Sequence, residues 1–220
     1  MREGGKKGKT LKAPELDASR LLKVPLVSRL ANFIGVTSLE LEEMNSRLEE
    51  ANHNLKMATI IDGLTGLYNR KEIQSQIEDA LKNVGKETFS LVMLDIDNFK
   101  QVNDTYGHQE GDAVIKALSH ILRNNKTPYM QKVSSGRWGG EEFMMLLHDT
   151  DSSTAAIIAD LIRQCFENTT YPVARMQTAS LGVTQVRTDD TIDTIDTVCS
   201  RVDTALYKAK KTEKNKVVVV

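Results

Sequence analysis

Two glycines, two adjacent carboxylates and an aromatic residue follow one another in Gly139-Gly140-Glu141-Glu142-Phe143, the segment of this chain richest in chemical potential. Glycine lets the main chain turn tightly and lets a phosphate come close to it, and a carboxylate at a turn tip is a hard oxygen ligand for a divalent cation. Metal-assisted chemistry on a nucleotide is what these residue types favour. A second acidic run, Leu94-Asp95-Ile96-Asp97-Asn98-Phe99-Lys100, closes an apolar stretch that begins at Phe89. In α/β sheets ligands sit beyond the carboxyl ends of strands, which places Asp95 well as a second metal ligand. If its strand lies beside the glycine turn, Asp95 and Glu141 approach each other, and two carboxylates at that range need a cation or a proton between them. The plainer role for Asp95 and Asp97 is to cap the helix that follows.

These residues need a scaffold, and the chain from Asp62 onward alternates in a way that supplies one. A turn at Asp62-Gly63-Leu64-Thr65-Gly66 leads into a helix over 70–81, and the nearly continuous apolar run Phe89 to Asp95 predicts a buried strand. Helical periodicity follows over 101–106 and 111–123, then strands over 129–135 and 143–148 joined as a hairpin by the glycines. A helix over 154–166, a strand over 175–186, a helix over 195–210 and a last strand over 217–220 complete the pattern. The fold class is α/β, a mixed central sheet flanked by helices.

Composition narrows the partners. A formal net charge of −1 argues against a general nucleic-acid binder, which carries a basic excess on one face. Runs of apolar residues are too short to span a bilayer, and the basic N-terminus is not followed by an apolar signal core, so the chain reads as cytoplasmic. Cys165 and Cys199 fall in apolar, helix-like surroundings and are expected to be buried free thiols.

Residues 1–20 are rich in Gly, Lys and Pro and read as a flexible tail. The segment 21–61 reads as a helical stalk, with a short helix near 21–36 that has Pro25 in its first turn, then Leu41, Leu48 and Leu55 at heptad spacing. With the leucines at d, Asn45 and Asn52 fall at a, where buried amides favour a parallel pair of helices. The alternative is one amphipathic helix packed on its own domain.

Residues 62–220 resemble the GGDEF family of diguanylate cyclases. The resemblance is carried, in order, by Asp62 to Arg70, by Asp95-Ile96-Asp97-Asn98-Phe99-Lys100, by Asn103-Asp104-Thr105-Tyr106-Gly107-His108, by Gly111-Asp112, by Gly139 to Phe143 in its GGEEF form, and by Asp203 to Lys210. It implies a polymerase-palm-like catalytic domain that condenses two GTP molecules into cyclic di-GMP and pyrophosphate, one GTP per protomer of a dimer. It also implies Mg2+ or Mn2+ held by Asp95, Glu141 and the Ile96 carbonyl, with Glu141 as proton acceptor, Glu142 as supporting carboxylate and Lys100 beside the reacting phosphates.

By motif position, Asn103 and Asp112 would read guanine: its N1–H and N2–H₂ donors face a carboxylate and its O6 faces an amide, a match that adenine lacks. His108, Phe99, Gly140, Lys210 and Lys214 would complete the substrate contacts, although a lysine-rich helix end is by itself usually a solvated face, and a histidine there is as often structural.

Two departures stand out. Where the family commonly carries arginine, the chain has Lys214, a point charge in place of a two-pronged donor. The family's inhibitory product site, an Arg-x-x-Asp ahead of the signature, reads Met130-Gln131-Lys132-Val133, so no such site is expected. Catalysis between two domains requires that they meet, which predicts a homodimer through the stalk and a separate regulatory protein that binds the N-terminal region.

Overall fold

The computed structural model describes residues 25–83, 88–124, 132–171, 176–186 and 194–220. The expected tail over 1–20, the first residues of the stalk, the predicted strand start at 129–131, Arg175, and Met130 of the product-site position lie outside the described residues. The chain divides into two compact units, Met1–Asn54 and Leu55–Val220.

Helix α1 spans Pro25–Ile60, with proline as its first residue, where its missing N–H costs nothing. In the first unit its leucines and aromatics stand in solvent: Leu30, Phe33, Leu41 and Leu48 are all more than half exposed. The polar positions pair locally, as in the Arg47 to Glu43 ion pair at 2.6 Å. Among the described residues no helix is long and apolar enough to cross a membrane.

The second unit holds a five-stranded sheet in the order β2-β3-β1-β4-β5. Its elements are α2 (Arg70–Lys82), β1 (Phe89–Ile96), α3 (Phe99–Tyr106), α4 (His108–Asn124), β2 (Val133–Gly139), β3 (Glu142–His148), α5 (Ser152–Glu167), β4 (Ala179–Val186), α6 (Ile195–Thr212) and β5 (Val217–Val219). Strand β1 runs antiparallel to both β3 and β4, and β5 joins β4 in parallel. The sheet is mixed and helix-covered, as the sequence predicts.

The unbroken apolar run of β1 resolves into two alternating sets because successive side chains point to opposite faces. Val92, Leu94 and Ile96 pack with α3, α4 and α5, whereas Phe89, Leu91 and Met93 pack with Ile73 and Ile77 of α2 and Val198, Val202 and Leu206 of α6. Each fully buried Leu, Ile or Phe contributes about 1.5–3 kcal/mol. Asp95 continues the second set, so it emerges on the α6 side of the sheet.

Helix α6 lies unusually close to β4. A side chain on Gly182 would come within 2.4 Å of the Leu206 backbone nitrogen and 2.5 Å of the Val202 carbonyl. This close approach sets the height of α6 over the sheet and delivers its last turn to the end of β1. Strand β2 ends later than the sequence suggests, running to Gly139 because a bulge between Arg137 and Gly139 lets pairing continue to Glu142. Both cysteines are free thiols, but neither is buried as expected: Cys165 is exposed on the outer face of α5 and Cys199 is half-buried.

Candidate active site

The acidic end of β1 and the start of β3 are joined by sheet register. Asp95 pairs with Glu142, and the Ile96 N–H donates to the Glu141 carbonyl at 3.4 Å. The hairpin therefore brings Asp95, Glu141 and Glu142 together, as expected if β1 lies beside the glycine turn. Gly139 and Gly140 are not among the residues with positive φ, so the turn does not depend on their conformational freedom. A Cβ added at Gly140 would meet nothing within 4 Å, and this leaves the backbone approachable.

Asp95 is only 5% exposed. Burial pushes its carboxyl up, the Lys210 ammonium pulls it back, and the nearby Glu141 and Glu142 charges add to the rise, leaving it at about 6. Lys210 of α6 reaches Asp95 Oδ2 at 2.6 Å. A buried carboxylate flanked by two more is the donor set a hard divalent cation takes, and Asp95 already holds a cationic partner in this position. Among the described residues no group of three His, Cys, Asp or Glu side chains is arranged to hold a metal ion by itself, so a cation here would also need backbone and substrate oxygens. A cleft of about 200 Å³ opens here, lined by Asp95, Ile96, Lys100, Glu141, Lys210 and Lys214 among others. Three lysines beside the carboxylates of Asp95 and Glu141 make it suited to a metal-bound polyphosphate.

Neither Asp95 nor Asp97 caps α3. The N-cap is Asn98, in the left-handed region at φ 56°, and its side chain makes no cap hydrogen bond. Instead, Asn98 Oδ1 accepts from Lys214 Nζ at 2.7 Å. The first turn of α3 thus faces the cleft without a side-chain cap. Phe99 is buried, so its contribution to a ligand is limited to its main chain.

Asn103 lies half-buried near the end of α3, and the chain turns at Gly107 into α4. A Cβ on Gly111 would fall 2.0 Å from Asn103 Oδ1 and 3.2 Å from the Phe99 ring, so glycine here is what lets α4 pass against Asn103. The exposed Asp112 follows directly and His108 stands exposed as the first residue of α4. Asn103 and Asp112 thus flank one helix junction.

Arg137 is a residue the motif reading passes over. Its Nε and Nη2 donate to the Gly140 carbonyl at 2.9 and 2.8 Å, while Nη1 reaches Asp62 Oδ2 at 3.3 Å. Asp62 also accepts from the Thr65 N–H and hydroxyl at 2.9 and 2.7 Å. Burial pushes the Asp62 carboxyl up, but the Thr65 hydrogen bonds and the Arg137 guanidinium outweigh it and hold it below the usual carboxylate range. The turn after α1 is thereby tied to the signature hairpin through one guanidinium. A lone arginine two residues before a Gly-Gly pair was the available signal.

At the product-site position, Val133 opens β2 opposite Leu147 and packs on the core, and Lys132 forms an ion pair with Asp149.

Residues 59–216 match the family described as diguanylate cyclase, GGDEF domain. The response regulator PleD of Caulobacter vibrioides is 30% identical over 220 residues, covering 96% of this chain and 47% of PleD, so the chain spans about half the length of that relative. Among solved structures, the coiled coil and GGDEF domain of DgcB from Caulobacter crescentus, in complex with c-di-GMP, superimposes with a TM-score of 0.71 at 28% identity, covering 87% of this chain and 99% of that one. The diguanylate cyclase SiaD of Pseudomonas aeruginosa, in complex with its activator SiaC, gives a TM-score of 0.70 at 30% identity, covering 92% and 78%.

Proposed function

The chain belongs to the GGDEF family of diguanylate cyclases, and from that premise we propose that it condenses two GTP molecules into cyclic di-GMP. The observation that carries the reading is the buried Asp95 at the carboxyl end of β1, faced by Glu141 and Glu142 and ringed by Lys100, Lys210 and Lys214. The 3′-oxygen of one GTP attacks the α-phosphorus of the other, the bond to the β-phosphate oxygen breaks, and pyrophosphate leaves. Glu141 accepts the hydroxyl proton and Glu142 supports the charge of the site. Asp95, Glu141 and the Ile96 carbonyl would hold Mg2+ or Mn2+, which would supply charge neutralisation of the triphosphate and activation of the hydroxyl. The lysines hold phosphate oxygens and offset the charge on the departing pyrophosphate. Asp112 and Asn103 read the guanine edge, with His108 at the same junction.

One protomer holds one GTP, so the reacting pair forms only where two copies meet. The exposed leucines at heptad spacing on α1 favour a homodimer through the stalk, and residues 62–220 act as the catalytic part. The SiaD complex with an activator supports a separate protein that engages the N-terminal region and acts on the signature hairpin through the Asp62–Arg137 tie. Val133 and Lys132 favour a cyclase without the Arg-x-x-Asp product brake. The protein acts in the cytoplasm, where GTP is supplied.

The test is GTP turnover with magnesium. The intact chain yields one cyclic di-GMP and two pyrophosphates per two GTP, and a chain starting near residue 60 is slow at nanomolar enzyme but recovers at high concentration. Full nanomolar activity of the truncated chain would remove the stalk from the account.

A further inference from the structure

Asp97 takes no part in the reaction above, yet it is 4% exposed and its carboxylate is fully engaged. Oδ1 accepts from the Ser180 hydroxyl at 2.7 Å, and Oδ2 accepts from the Thr178 hydroxyl at 2.8 Å and the Asn215 backbone N–H at 3.0 Å. Asn215 is gripped from a second direction. Arg163 Nη1 donates to its side-chain oxygen at 2.8 Å, and its amide nitrogen donates to Glu167 Oε1 at 2.8 Å. Asp97, one residue past β1, thus holds the main chain of Asn215 while α5 holds its side chain.

The turn held this way has a shape the chain does not adopt readily. Lys214 and Asn215 both lie in the left-handed region, at φ 57° and 45°. Asparagine tolerates this conformation, but a lysine, with no side-chain bond to its own backbone, does so only where its surroundings require it. The result is that Lys214 Nζ reaches Asn98 Oδ1 at 2.7 Å, at the cleft that also holds Asp95 and Glu141. A lysine on a flexible stem lacks the rigid fork of arginine, so its aim depends more on where its backbone is fixed.

We infer that Asp97 is a positioning residue for nucleotide binding: through the Asn215 N–H it holds the 214–215 turn in the left-handed form that aims the Lys214 ammonium into the triphosphate cleft. This rests on the GTP site proposed above. Its signature is selectivity for the outer phosphates, because a group acting through Lys214 affects a triphosphate and leaves a monophosphate alone.

The experiment measures affinity with magnesium for 3′-deoxy-GTP, which lacks the attacking hydroxyl and so binds without turnover, and for GMP. Asp97→Asn keeps the side chain's size but removes acceptor capacity, and Glu167→Ala loosens the same asparagine from the less buried side. The expected result is a loss of about tenfold for 3′-deoxy-GTP in Asp97→Asn and about threefold in Glu167→Ala, with GMP changed less than about twofold in either. In a Lys214→Ala background Asp97→Asn costs nothing further, because the two act on one contact. If Lys214→Ala itself leaves 3′-deoxy-GTP binding unchanged, the triphosphate assignment fails and the inference with it. If Lys214→Ala weakens binding while both other variants are silent, weaken GMP equally, or add their full effect to it, the cleft stands and the positioning role is overturned.

Discussion

Asp95 and Asp97 stand two residues apart at one strand end, at 5% and 4% exposure, and their surroundings are opposite. Around Asp97 the carboxylate receives two hydroxyls and a backbone N–H, all neutral donors fixed by β4 and the 213–216 turn. Around Asp95 there are two further carboxylates and one ammonium, and the carboxyl is pushed up to about 6. Burial alone therefore does not mark a site. A buried charge satisfied by neutral donors is scaffolding, and one still crowded by like charges is where a cation and its substrate belong.

The contrast can be broken in several ways. The largest effect is expected from Asp95→Ala, which removes a metal oxygen and reduces turnover by at least about a thousandfold while the fold, followed by thermal melting, survives. Next, Gly111→Ala drives a methyl group into Asn103 and raises KM for GTP by about tenfold or more, with a smaller change in kcat. An unchanged KM would remove Asn103 from guanine recognition.

The pH dependence of the metal-free protein gives a third test. Asp95 has a folded pKa above its unfolded value, so the native state binds more protons between about pH 4 and 6 and stability falls as pH rises through that window. The difference between wild type and Asp95→Asn isolates this, on the order of 2 kcal/mol, and magnesium shrinks it by replacing the proton. A flat difference across that window would mean that Asp95 is not crowded as described. The smallest effect is a null one: micromolar cyclic di-GMP leaves turnover unchanged within about twofold, in wild type and in Lys132→Ala alike. Strong inhibition that Lys132→Ala relieves would show a product site in this position after all.

How far the site was legible in the sequence follows from which physics placed each part. β1 could be read because a fully buried strand is apolar throughout, and Asp95 because it ends that run. Asn103 and Asp112 are reached through motif order, since nothing in their own spacing says that Gly111 makes the room between them. The capping alternative for Asp97 does not hold, and its actual role was not legible, because its partners, Thr178, Ser180 and Asn215, lie more than eighty residues away and meet it only in the folded chain. Arg137 was missed for the same reason, as Asp62 is 75 residues distant. The run of β2 past residue 135 depends on a bulge, which local propensity does not encode. The exposed Cys165 sits in an apolar-looking helix whose outer face also carries Ile157 and Leu161, so composition suggested burial that the helix phase does not provide.

The central claim is that Asp95 and Glu141 serve the joining of two GTP molecules rather than the holding of one. Product analysis of the intact chain and of Glu141→Ala, incubated with GTP and magnesium, tests it most directly. The account predicts cyclic di-GMP and pyrophosphate from the intact chain and at least about a thousandfold less from Glu141→Ala, with both proteins equally folded. Bound GTP with no cyclic di-GMP from the intact chain, or equal product from both, would contradict it.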